Sequence, residues 1–90
     1  MYKEIKASAL SLKPKRWDKP YNAEKLEYYI RKAAEEDPDL IVAPEGMLEG
    51  YVAGDVVENP ELGKEMLLIA EPMDGEYVKR FRDLARELNK

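Results

Sequence analysis

The sequence predicts an α/β fold with parallel strands, and three observations carry the prediction. Residues 5–12 and 40–43 are short apolar runs, each closed by a proline at Pro14 and Pro44. The segment between them has apolar residues at helical spacing. Two more such stretches follow in the second half. Strand, helix and strand within about 40 residues is the βαβ pattern, which strongly prefers a parallel, right-handed crossover.

Each element has its own local reason. Ile-Lys-Ala-Ser-Ala-Leu-Ser-Leu at 5–12 is too short for an ordinary helix, and Pro14 biases the residue before it toward extended geometry. Residues 13–21 hold two prolines, Trp17 and Asp18, and read as a loop. Asn22 is expected to cap a helix over 23–36, whose Leu26, Tyr29, Ile30, Ala33 and Ala34 share one face, with Pro38 ending it. Tyr28 and Tyr29 read as one partly exposed and one buried residue of that helix. Leu-Ile-Val-Ala at 40–43 is apolar on both parities, as expected of a strand covered on both faces. Asn59-Pro60-Glu61 has the form of a helix start, followed by an apolar face of Leu62, Met66, Ile69 and Ala70 and a stop at Pro72. Asp74 is expected to cap a last helix carrying Val78, Phe81, Leu84, Ala85 and Leu88. The charged series Lys79, Arg80, Arg82, Asp83, Arg86 and Glu87 reads as the solvated face of that helix with local ion pairs.

Composition narrows the chemistry. Ninety residues suit one small domain, 1–90, which as a compact monomer would expose about 5,400 Å². With no Cys and no His, the chain contains no disulfide, thiol nucleophile, Cys/His zinc site or imidazole proton shuttle. Catalysis by its own residues is left to carboxylate, Lys, Tyr and hydroxyl groups, and neither metal nor cofactor is expected. A net charge of −4 argues against a nucleic-acid partner, although Lys13, Lys15 and Arg16 form a local basic spot. The first residues alternate charged and apolar groups, and the longest apolar runs fall far short of the ~18 residues of a membrane span. A soluble, cytoplasmic protein with no membrane partner is the expectation. Gly46, Gly50 and Gly54 are too widely spaced, with no following Lys-Ser/Thr, for a phosphate loop.

The sharpest local feature lies at 39–51, Asp-Leu-Ile-Val-Ala-Pro-Glu-Gly-Met-Leu-Glu-Gly-Tyr. Ligands of open α/β sheets bind beyond the carboxyl ends of strands, and Glu45 stands two residues past Ala43. Two readings are open on pattern alone: a general acid/base carboxylate, or a solvated Glu in a Pro-Glu-Gly turn. Tyr51 and Glu49 are candidates to line the same pocket. Trp17 and Tyr21, at the carboxyl end of the first strand, are candidates to cover its mouth.

The ordered set Ala7-Ser8-Ala9-Leu10-Ser11-Leu12, Asn22 heading Ala23-Glu24-Lys25-Leu26, Ala33-Ala34, and Asp39 to Gly46 resembles the start of carbon-nitrogen hydrolases of the nitrilase superfamily. Tyr51 after Gly50 and the amphipathic stretch 77–88 continue the likeness. The resemblance implies an α-β-β-α sandwich of which this chain is the amino-terminal third, a partial sandwich that is incomplete as a monomer. It also implies a Glu-Lys-Cys mechanism on amides or nitriles, with Glu45 in the place of the general base. The family's Cys is missing from these residues, its Lys follows strands beyond them, and Lys64 and Lys79 match nothing. Hydrolysis therefore needs a complementary chain supplying the rest of the sandwich. The alternative is a non-catalytic module that buries its sheet edges in a homo-oligomer.

Overall fold

The computed structural model describes residues 3–90. In chain order the elements are β1 (Ala7–Ala9), α1 (Lys19–Ala34), β2 (Leu40–Val42), α2 (Ala53–Glu58), a 3₁₀ turn (Pro60–Leu62), α3 (Gly63–Ile69) and α4 (Glu76–Leu88). β1 and β2 pair in parallel, with Ala7 opposite Leu40, Ser8 opposite Ile41 and Ala9 opposite Val42. The fold is thus mixed α/β around a two-stranded parallel sheet. No described helix is long and apolar enough to cross a membrane.

Both strands are shorter than their apolar runs, the paired register covering only Ala7–Ala9 and Leu40–Val42. Flanking bonds from the Asp39 amide to the Lys6 carbonyl (2.8 Å) and from the Leu10 amide to the Val42 carbonyl (2.8 Å) extend the ladder slightly. One face of the sheet, carrying Ser8 and Ile41, is half-buried. The other face is bare, with Leu40 51% and Val42 48% exposed beside Ala7 and Ala9. β2 is therefore covered on one face, where its apolar parity had suggested two.

The helical boundaries depart from expectation at two caps. Asn22 does not cap α1. The cap is Asp18, whose carboxylate accepts the Tyr21 amide at 3.1 Å, and Pro20 sits in the first turn. The helix consequently begins a turn early and carries Asn22 into its interior. Asp74 does not cap α4 either: Gly75 occupies the cap position, and the Tyr77 amide donates to Glu71 at 2.8 Å. Asn59 does act as a cap, accepting the Glu61 amide at 3.3 Å, although the helix starts as a 3₁₀ turn before α3. α2 is an additional element.

α4 packs on α1, with Phe81, Leu84, Ala85 and Leu88 meeting Ile30 and Ile41 around a cleft of about 240 Å³. Its ion pairs join the two helices, where local pairing along α4 had been expected. Arg80 donates to Glu24 (2.8 Å) and Glu27 (2.9 Å), and Arg31 joins Glu27 (3.1 Å) to Glu87. Arg80 first, and Arg31 next, hold the Glu27 carboxyl below the usual carboxylate range, and Arg31 does the same for Glu87. Glu71 is lowered by the Lys19 ammonium and then by the Tyr77 amide.

Carboxylates depressed in the folded state add stability that is complete above their unfolded pKa, about 4.3, and is lost as pH falls through their folded values. The urea midpoint is therefore expected to stay level from pH 8 to about pH 5 and to fall steadily below about pH 4.3. Glu71→Gln should flatten part of that acid limb. A midpoint unchanged between pH 7 and pH 3 would show that these pairs do not couple to folding.

The fully packed interior is small. Among the described residues its apolar members are Ala23, Leu26, Met47, Val52 and Leu84, with Pro38 and Asn22 also fully buried, while Leu67 and Leu68 on α3 are 79% and 84% exposed. The radius of gyration is 15.0 Å, against about 12 Å for a compact chain of this length. The accessible surface is 6930 Å², against the ~5,400 Å² of a compact monomer. The chain folds locally and leaves apolar surface uncovered.

Candidate functional site

The site grows from the turn after β2. Pro44 leaves the strand, and residues 45–50 wind into consecutive turns closed by the amides of Gly50 (3.0 Å) and Tyr51 (2.9 Å) on the Gly46 carbonyl. This winding requires left-handed backbone at Gly46 (φ 66°), Gly50 (φ 94°) and Tyr51 (φ 55°). Glycine adopts it freely, whereas Tyr51 stores local strain.

Three anchors hold the turn against the loop that follows β1. Asn22, 0% exposed, accepts the Lys15 amide (2.7 Å) and donates to the carbonyls of Lys15 (2.7 Å) and Leu48 (2.8 Å). The Trp17 amide donates to the Glu49 carbonyl at 2.9 Å. Gly50 lies so close to the loop that a Cβ there would stand 2.5 Å from both Arg16 Cα and the Lys15 carbonyl oxygen. Asp55 of α2 adds a fourth tie, accepting Arg16 (2.7 Å) and the Trp17 indole N–H (2.9 Å). Gly50→Ala adds a backbone collision to a left-handed φ. The expected loss is about 3 kcal/mol or more, read from urea denaturation followed by Trp17 fluorescence. A loss below about 1 kcal/mol would mean that the two loops separate easily.

Glu45, Glu49 and Tyr51 line one surface cleft of about 180 Å³, together with Gly46, Val52, Ala53 and Met66. Glu45 is exposed and lies three residues past Val42. Among the described residues it enters no ion pair. Glu49 is partly committed to structure, since one of its oxygens accepts the Val52 amide at 3.2 Å. The other two candidates lie elsewhere. Trp17 turns its indole N–H to Asp55. Tyr21 lines a separate basic cleft with Lys13, Lys15, Arg16 and Lys25. Among the described residues no group of three or more His, Cys, Asp or Glu is gathered to hold a metal ion.

Asn22 and Asp55 are the residues that sequence reasoning missed in these roles. The signal for Asn22 was present in Asp18-Lys19-Pro20, which starts the helix early and so frees Asn22 from capping. Asp55 had none, because its partners lie 38 and 39 residues away.

A carboxylate on a braced turn at the carboxyl end of a parallel strand is suited to proton transfer with a group brought against it. Comparison with curated proteins and with solved structures gives no match. The family model described as carbon-nitrogen hydrolase matches residues 6–89, which takes in both strands, the braced turn and the whole of α4. The chain belongs to the carbon-nitrogen hydrolase family.

Proposed function

We propose that this chain supplies the general-base part of a carbon-nitrogen hydrolase, with Glu45 as the base and the lysine and cysteine contributed by residues outside these ninety. Glu45 takes the proton of the cysteine thiol, and the thiolate attacks the carbon of an amide. The lysine stabilises the negative charge that develops on oxygen, and protonated Glu45 returns its proton to the leaving nitrogen as the C–N bond breaks, so that the carboxylate is regenerated. Water then cleaves the thioester, with Glu45 again accepting a proton, to give the carboxylic acid and the free thiol.

The observation that carries this reading is the position of Glu45: exposed, just past the carboxyl end of β2, on a turn braced by Asn22. The bare sheet face supports the rest. A sheet with helices on one side and exposed apolar residues on the other is the arrangement one half of an α-β-β-α sandwich would have before its second sheet is added. In this reading the chain is the amino-terminal third of that sandwich, and a complementary polypeptide covers Leu40 and Val42.

The test is reassembly. The chain is mixed with a polypeptide carrying the family's lysine and cysteine strands, and ammonia release from primary amides is followed. Hydrolysis that requires both pieces supports the proposal. A chain that binds no such piece at high concentration, and that light scattering shows as a dimer dissociating only on unfolding, would instead assign the bare face to a second copy and a non-catalytic role.

A further inference from the structure

We infer that the Glu45 cleft opens onto a seat for an uncharged hydrocarbon group, so that the amides this site takes carry an apolar acyl chain. The inference rests on the catalytic reading of Glu45 and deepens it.

Between α1, the turn after β2 and α3 lies an open cavity of about 510 Å³, within the usual range for small-molecule sites. Leu26, Ala43, Met47, Leu48, Met66 and Ile69 are among the residues of its wall, which is mostly apolar. The Glu45 cleft is its neighbour, because Gly46, Glu49 and Met66 line both. An amide carbonyl beside Glu45 would therefore have its substituent at the entrance to an apolar chamber.

The charges on the wall are already engaged. Lys19 and Glu71 pair at 2.7 Å with side chains only 14% and 13% exposed, and Glu71 also accepts the Tyr77 amide. Glu49 holds the Val52 amide. A charged substituent would lose its water here without finding a free partner, while a hydrocarbon chain would gain by burial. Met47 and Met66, unbranched and polarisable, can adapt to chains of different shape.

The experiment reads binding alone, so it does not depend on turnover. The ninety-residue chain, carrying ¹³C-methyl methionine, is titrated with acetamide, butanamide, hexanamide and 6-aminohexanamide. The expected result is movement of the Met47 and Met66 methyl signals, with Kd falling about threefold to fourfold per added methylene. 6-Aminohexanamide should bind at least tenfold more weakly than hexanamide. Ala70→Trp, placed at the exposed rim, should weaken hexanamide by a similar factor. Methionine signals that do not move, or a Kd independent of chain length, would overturn the inference in the unmodified chain. Neither outcome bears on whether Glu45 is the base, which reassembled activity decides separately.

Discussion

Glu45→Gln is expected to lower amide hydrolysis by the reassembled enzyme about 10²- to 10⁴-fold while leaving assembly intact. Glutamine keeps the size and shape of the side chain but cannot accept a proton. Because Glu45 is exposed and enters no ion pair among the described residues, the substitution removes no described stabilising ion pair. Glu49→Gln is the matched control. It removes a carboxylate from the same cleft but keeps a carbonyl oxygen able to accept the Val52 amide. Its stability should change by less than about 1 kcal/mol, and its rate far less than that of Glu45→Gln. Equal losses from the two substitutions would show that negative charge in the cleft, rather than a base at Glu45, supports the reaction.

Much of the chain's organisation was legible because local rules decide it. Apolar runs stopped by prolines marked both strands, and the helix between them favoured a parallel crossover, which is the pairing observed between Ala7–Ala9 and Leu40–Val42. The errors came where two local signals competed or where the partner was distant. Asp18 and Asn22 are both good caps four residues apart, and Pro20 in the first turn decides for Asp18. The amide expected to fall to Asp74 goes to Glu71, at the end of the preceding segment and six residues before Tyr77. α2, Ala-Gly-Asp-Val-Val-Glu, is too short to show a helical period.

The candidate site divides the same way. Glu45 was legible as a candidate because it follows a strand's carboxyl end, and Glu49 and Tyr51 share its cleft through the winding of a single turn. The bracing of that turn was not visible, since its bonds run over 26 residues from Asn22 to Leu48 and over 38 from Trp17 to Asp55. Trp17 and Tyr21 illustrate the point, being neighbours in sequence whose polar or cleft partners lie in different places. Spacing gives the face of an element, whereas the partner across a loop depends on how the two loops dock.

Asn22→Leu tests that docking, and its expected cost is about 3 kcal/mol. Leucine has nearly the same shape, so packing in α1 is retained and the loss isolates the hydrogen bonds. It leaves the Lys15 amide and the Leu48 carbonyl without their partner and the Lys15 carbonyl with only the Asp18 amide at 3.4 Å, and each unmet group costs about 1–3 kcal/mol unless water reaches it. A 90-residue domain has on the order of 5–13 kcal/mol to lose, and this chain, with a small buried apolar core among the described residues, belongs at the low end. Asn22→Asp should cost at least as much at pH 7, because a carboxylate accepts the Lys15 amide but cannot donate to the two carbonyls and places a charge where nothing is exposed. The measurements are urea midpoints by Trp17 fluorescence and hydrogen exchange at the Lys15 amide, which should lose its protection in both variants. Unfolding free energies within about 0.5 kcal/mol of the parent, with Lys15 still protected, would mean that the Trp17–Glu49 bond, Gly50 and Asp55 hold the Glu45 turn in place without Asn22.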